Sequence, residues 1–202
     1  MSEKLNYKMQ KTGTEEQMSN REKLNNLFQN SPMPIEHLMV NLGLYMRSSV
    51  LAKTLYINEL YEKIVHLPGS IMEFGSWYGT NLALFESLRA IYDPYNYTRK
   101  VIGFDTYDGY ENLSINDGKN ELVQEGQYSI PENYIDYLKE VLDFHQKENV
   151  LPHIKKYELI KGDATKSVYE YLEKNQHTMI SLAYFDMQLY EPTKKCLEAI
   201  KP

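Results

Sequence analysis

At 202 residues, 42% of them hydrophobic, the chain is long enough to bury the core of one domain. Its 28 acidic residues outnumber 22 basic ones, and the net charge of -6 argues against nucleic acid or an anionic membrane as the main partner. A single cysteine, Cys196, excludes an internal disulfide, the opening "MSEKLNYKMQ" lacks the apolar core of a signal peptide, and the longest apolar run, "MISLAYF", falls well short of the roughly 18 residues that span a bilayer, so a cytoplasmic protein is expected.

Residues 1–34 are polar and read as a flexible arm, with a short helix in "NREKLNNLF" and a stop at "SPMP". Over residues 35–69, apolar positions such as Leu51, Leu55, Leu60 and Ile64 recur at helical spacing until "LPGS" breaks the pattern, predicting one or two helices. From residue 70 to 202, four short apolar runs, "SIMEF", "KVIGF", "YELIK" and "MISLAYF", read as buried strands. Helical patterns follow each in "TNLALFESLRAIY", "NYIDYLKEVLDFHQKEN", "TKSVYEYLEKN" and "PTKKCLEAI". Strand and helix in alternation predict an α/β fold with a doubly wound, mostly parallel sheet. The polar stretch 107–130, with Gly109, Gly118 and Gly126, is too long for an ordinary connection and reads as a lid or a disordered loop.

In an open parallel sheet, ligands collect beyond the carboxyl ends of the strands. Each predicted strand carries an acid at or near that end: Glu73 before the turn "GSWYG", Asp105 in "GFDTYDGY", Asp163 in "KGDAT" and Asp186 in "FDMQLYEPT". Gly75 and Gly79 let the first turn pass close to a neighbour, either a ligand or another part of the chain. Their spacing is not the Gly-x-Gly-x-x-Gly of dinucleotide folds, which disfavours a nicotinamide enzyme. Asp105, followed by Thr106, stands where a carboxylate accepts from both hydroxyls of a ribose. Asp163 and Ala164 can lie beside an adenine, although Asp163 is equally well placed to cap the next helix. Glu73 answers an ammonium group or is satisfied by backbone amides, and Trp77, Tyr78 and Tyr107 stand in the predicted ligand loops. The five histidines show no ligand spacing, and Cys196 falls on a core-facing helix position.

"EFGSWYGTN", "VIGFDTYDGY", "LIKGDATKSVYEYLE" and "ISLAYFDMQLYEPTKKCLEAI", in that order, resemble the TylF/MycF-type (macrocin-like) S-adenosylmethionine-dependent sugar O-methyltransferases over roughly residues 42–202. The resemblance implies a Rossmann-like class I methyltransferase fold. It also implies S-adenosylmethionine as cofactor, held by Glu73, Gly75, Trp77, Tyr78, Gly79, Asp105, Thr106, Asp163 and Ala164, and a small-molecule sugar acceptor. Asp186 maps onto a metal ligand, with Mg²⁺ as the expected ion. Where the family carries an acid two residues later, a candidate base, this chain has Gln188, whose carboxamide cannot take a proton at neutral pH. The family pattern continues into further strands bearing more metal ligands, whereas this sequence stops at Pro202. Either it is part of a longer chain, or the sheet lacks its C-terminal strands and has an open edge that invites a homodimer. A non-catalytic relative that keeps the cofactor pocket is the alternative.

Overall fold

The computed structural model describes residues 13–111, 113–118 and 123–201. Residues 1–12 of the expected arm, parts of the 107–130 stretch and Pro202 lie outside the described residues. Two compact units are present, one within Met9–Tyr56 and the other over Ile57–Pro202.

The smaller unit opens with α1 (Glu15–Gln29), longer at its start than the helix read from the sequence. The reason is a capping box: the Thr14 hydroxyl accepts from the Gln17 amide while the Gln17 side chain accepts from the Thr14 amide. After the prolines come α2 (Ile35–Val40) and a 3-10 turn, Leu42–Tyr45, with Phe28 and Tyr45 in edge-to-face contact at 5.1 Å. Leu38 is the one buried side chain among the described residues of this unit. The unit boundary falls inside α3 (Ser48–Ile64).

In the larger unit, β1 (Ser70–Phe74), α4 (Thr80–Tyr92), β2 (Val101–Asp105), α5 (Tyr134–Glu148), β3 (Tyr157–Lys161), α6 (Ala164–Lys174), β4 (Ile180–Phe185) and α7 (Tyr190–Ala199) alternate as the periodicity predicts. All pairings are parallel and the strand order is β3-β2-β1-β4. The chain therefore builds outward from β1 to β3, then returns to the other side of β1, which puts a topological switch between β1 and β4.

Side chains alternate across the sheet. Met72 and Phe74 face α6 and α7, in a core with Ile102, Phe104, Val168, Tyr171 and Cys196. Register places Phe74 opposite both Phe104 and Phe185, and their rings stack at 5.0 and 4.7 Å. Ile71 joins the opposite core, with Leu82, Phe85, Leu138 and Leu142 from α4 and α5. Glu73 shares the parity of Ile71, so the strand's one acid points toward the α4 side.

A second polar group inside this unit had no sequence signal. Arg99, fully buried, pairs with Asp93 at 2.6 Å and donates to the carbonyls of Ile64, Leu67 and Gly69 and to the Ser181 hydroxyl. It ties the end of α3, the approach to β1 and the start of β4 to one planar group. Among the described residues no helix is long and apolar enough to cross a membrane.

Candidate active site

Hydrogen bonds of the sheet continue one step past the strands. Gly162 donates to the Asp105 carbonyl, Gly75 to that of Phe104 and Asp186 to that of Phe74, each at 2.9 Å. The loops bearing Gly75, Asp105, Asp163 and Asp186 are thereby brought side by side at one edge of the sheet.

Asp105 joins two of these loops. Its Oδ2 accepts from the Trp77 amide and its Oδ1 from the Tyr107 amide, both at 2.7 Å. Trp77 and Tyr107 have φ of 46° and 62°, left-handed values that cost a bulky residue of order 1 kcal/mol or more each. The carboxylate holds both strained residues through the amides that the conformation presents. Burial pushes the Asp105 carboxyl above its ordinary value, against the amides of Trp77, Tyr107 and Ser76, which favour the charged form. Beside it, the Thr106 hydroxyl donates to the Gly109 carbonyl at 3.0 Å and is engaged within the turn.

The two glycines meet protein. A Cβ on Gly75, whose φ is 88°, would lie 3.0 Å from the Asp186 carbonyl group, and one on Gly79, whose φ is 76°, would lie 2.5 Å from Leu138 Cδ1. Gly75 lets the loops after β1 and β4 touch; Gly79 lets α5 close on the start of α4.

Glu73 is 0% exposed and reaches the site through another side chain. Asn81, in the first turn of α4 and 4% exposed, donates from Nδ2 to Glu73 Oε1 at 2.6 Å and to Asp186 Oδ2 at 3.1 Å. Its own carbonyl oxygen, Oδ1, is buried without a hydrogen-bond partner. Sequence reasoning missed Asn81. The available signal was its place eight residues after the strand acid, where the first turn of the helix returns to the sheet.

Asp163 takes the capping role, its Oδ1 accepting from the Thr165 amide at 3.0 Å and hydroxyl at 2.7 Å. Burial raises its carboxyl, but the Thr165 bonds and Lys166 outweigh that and leave it below the ordinary carboxylate range. Ala164 is buried in the core beneath α6. Tyr107 is likewise in the core, its phenol pushed up by burial and by the charges of Asp105 and Glu73. Cys196 is fully buried, and its thiol is pushed up to about 12 by burial, then by Asp163.

Trp77 and Tyr78 begin an aromatic wall. Tyr128 lies edge-on to Trp77 at 5.6 Å and beside Tyr110 at 5.1 Å, while the Tyr134 hydroxyl donates to the Tyr78 carbonyl at 3.1 Å. The stretch 107–130 is stapled at its base: Ile130 donates to the Tyr107 carbonyl, Tyr110 to Gln127 and Gly126 to Tyr110. Asp117, within it, accepts from the Tyr190 amide at 2.6 Å and so caps α7, whose own N-cap residue, Leu189, offers no side-chain acceptor. Gln188 is exposed and donates to the Tyr128 hydroxyl at 3.4 Å. Next to it opens a groove of ≈ 650 Å³, lined by Asn116, Asp117, Met187, Gln188 and Lys194 among others.

Among the described residues no group of three His, Cys, Asp or Glu side chains gathers as a metal would require. Asp186 is exposed, and its hydrogen-bond partner on α4 is a carboxamide. One carboxylate does not make the oxygen cage of Mg²⁺, so the described residues do not fit the expected metal site.

A parallel sheet of order β3-β2-β1-β4, with its polar loops gathered beyond the carboxyl ends of the strands, is a Rossmann-like α/β fold, and likeness to solved structures makes it that of a class I methyltransferase. The chain is similar to two solved structures of CalS11. To the calicheamicin methyltransferase structure it has 39% identity and a TM-score of 0.91, covering 94% of this chain and 74% of that one. To the apo form, described as a TDP-rhamnose 3'-O-methyltransferase of calicheamicin biosynthesis, it has 38% identity and a TM-score of 0.81 over 95% and 74%. The O-methyltransferase NovP, 17% identical with a TM-score of 0.50 over 73% and 58%, shares the fold. No protein-family model and no curated protein matches. The chain belongs to the TylF/MycF-type O-methyltransferase family, with CalS11, and is a methyltransferase.

Proposed function

We propose that the protein transfers a methyl group from S-adenosylmethionine to a hydroxyl of a deoxysugar carried on a nucleotide, in the biosynthesis of a natural product. The observation that carries this reading is the Asp105 tie, which fixes Trp77 and Tyr107 around one half-buried carboxylate where the loops after β1 and β2 meet. Beyond the amides of Trp77, Tyr107 and Ser76, the Asp105 carboxylate keeps acceptor capacity for a ribose hydroxyl. Glu73, Gly75 and Gly79 shape the first loop from beneath, and Trp77 and Tyr78 wall it. Asp163 and Ala164 fix the third loop, and Thr106 fixes the turn after β2. Likeness to a TDP-rhamnose 3'-O-methyltransferase supports the acceptor class.

Bound S-adenosylmethionine supplies an electrophilic methyl: the acceptor oxygen bonds it while the sulfur keeps the electrons of the broken bond as a neutral thioether. The residues of this chain orient that encounter and receive the proton. Asp186, an exposed carboxylate at the end of β4, takes the hydroxyl proton, and Asn81 fixes its rotamer. Gln188 and Tyr128 orient the sugar without changing charge. Lys194 on α7 and Lys201 just beyond its end, both lining the groove, stand where a diphosphate would run. A homodimer is part of the proposal, supported by exposed apolar side chains such as Val40, Leu44 and Leu55 in the N-terminal unit.

Calorimetric titration tests the cofactor. S-adenosylhomocysteine should bind and NAD should not; binding of NAD alone would overturn the assignment.

A further inference from the structure

We propose that Asp117 is a positioning residue for the acceptor: it ties together the two walls of the groove beside Gln188, and the sugar nucleotide binds between the walls so joined. The proposal rests on the sugar O-methyltransferase reading and adds a residue to it. One wall is α7, whose N-cap position is Leu189. The Leu189 side chain is buried and spent on packing, so it offers the first amides of the helix no acceptor. Asp117, 73 residues earlier in the chain, supplies one. Its Oδ1 accepts from the Tyr190 amide at 2.6 Å, while its Oδ2 accepts from the Ser114 amide at 2.6 Å and the Ser114 hydroxyl at 2.7 Å. One carboxylate thus fixes its own turn, Ile115–Asp117, and the start of α7. Asn116 adds a contact from Nδ2 to Glu191 Oε1 at 3.4 Å.

What the tie positions follows from where it sits. The groove of ≈ 650 Å³ is lined by Asn116 and Asp117 from the 107–130 stretch and by Gln188, Tyr190 and Lys194 from the end of β4 and from α7, a size that takes a sugar and part of its nucleotide. Asp186 is held separately: its amide donates to the Phe74 carbonyl at 2.9 Å, continuing the sheet, and Asn81 donates to its Oδ2. Releasing Asp117 therefore leaves the reacting carboxylate in place and frees the walls on which the rest of the acceptor lies. Burial raises the Asp117 carboxyl, but the bonds from the Tyr190 amide and from Ser114 outweigh that and leave it below the ordinary carboxylate range, so the tie is a charged one at the positive end of a helix.

The experiment titrates TDP-rhamnose, by calorimetry, into the S-adenosylhomocysteine complexes of the full chain, of Asp117→Ala and of Asp117→Asn, with S-adenosylhomocysteine affinity measured alongside. Asp117→Ala should weaken TDP-rhamnose by about five- to thirtyfold, the equilibrium shift that loss of an N-cap corresponds to, and bind S-adenosylhomocysteine as the parent does. In turnover the same variant should raise the KM for TDP-rhamnose by a like factor and lower kcat far less. Asp117→Asn keeps an oxygen for the Tyr190 amide but gives up the charge and an acceptor for Ser114, so it should fall between the two. If Asp117→Ala does not fold, Asp117→Asn decides, and it must bind TDP-rhamnose more weakly than the parent. Equal TDP-rhamnose affinity in parent and variant overturns the proposal, as does a loss that S-adenosylhomocysteine shares, which would make Asp117 a residue of general stability. A parent complex that binds S-adenosylhomocysteine but no TDP-rhamnose is a different result: it removes the acceptor reading, and the proposal with it.

Discussion

Replacing Gly79 by alanine adds one carbon atom, and the structure says where it goes. The new Cβ would lie 2.5 Å from Leu138 Cδ1 and 2.8 Å from Cδ2, on a residue with φ of 76°. A left-handed alanine costs about 1–2 kcal/mol, and overpacking a buried leucine a further 1–3 kcal/mol, so Gly79→Ala should destabilise by roughly 2–5 kcal/mol. The two parts separate in a double-mutant cycle in urea. Leu138→Ala alone opens a cavity and costs about 2–5 kcal/mol; in its background Gly79→Ala should cost the backbone strain only, giving a coupling of about 1–3 kcal/mol in favour of the double variant. Additivity within about 0.5 kcal/mol would refute the claim that Gly79 is glycine to admit α5.

Asp163→Ala should cost about 0.5–2 kcal/mol of stability at neutral pH as α6 loses its cap. Because the folded carboxyl lies below its unfolded value, that contribution is present above the unfolded pKa, near 4, and disappears as pH falls through the folded one; urea titrations at pH 7 and pH 3 should show the variant's deficit at pH 7 and a smaller one at pH 3. Arg99→Met should lower stability by about 3–5 kcal/mol in a thermal melt, since it takes the cation from Asp93, which keeps Tyr61 and Asn96 as donors, and the guanidinium donors from four other acceptors. Gln188→Asp should raise turnover if Asp186 is a poor base, up to the ~10²-fold or more that a positioned base contributes, whereas Asp186→Asn should abolish it. Val40→Glu combined with Leu44→Glu should turn a dimer into a monomer in light scattering; a parent already monomeric contradicts the homodimer.

The sheet was legible because its strands are continuous apolar runs and its helices amphipathic; the bounds of α4 and β1 coincide with the stretches read from periodicity. The four acids could be placed at the strand ends for the same reason. What each one does was harder to read, because it depends on partners far away in the chain. Asp105 spends its oxygens on the Trp77 and Tyr107 amides, Asp163 caps its own helix, and Glu73 meets the site through Asn81. Asn81 and Arg99 left no trace in the hydrophobic pattern, since a buried polar side chain is marked by its hydrogen bonds and not by its spacing. The staple at the base of the 107–130 stretch escaped detection likewise: its bonds are backbone to backbone and independent of side chain.

The most direct test of the account is methyl transfer itself. The full chain, incubated with S-adenosylmethionine labelled in its methyl group and with TDP-rhamnose, should release S-adenosylhomocysteine and place the label on a sugar oxygen, seen by mass spectrometry of the product. The same incubation with Asp186→Asn should leave the sugar unlabelled. S-adenosylhomocysteine binding without label on this or any related nucleotide-linked deoxysugar would contradict the sugar O-methyltransferase reading.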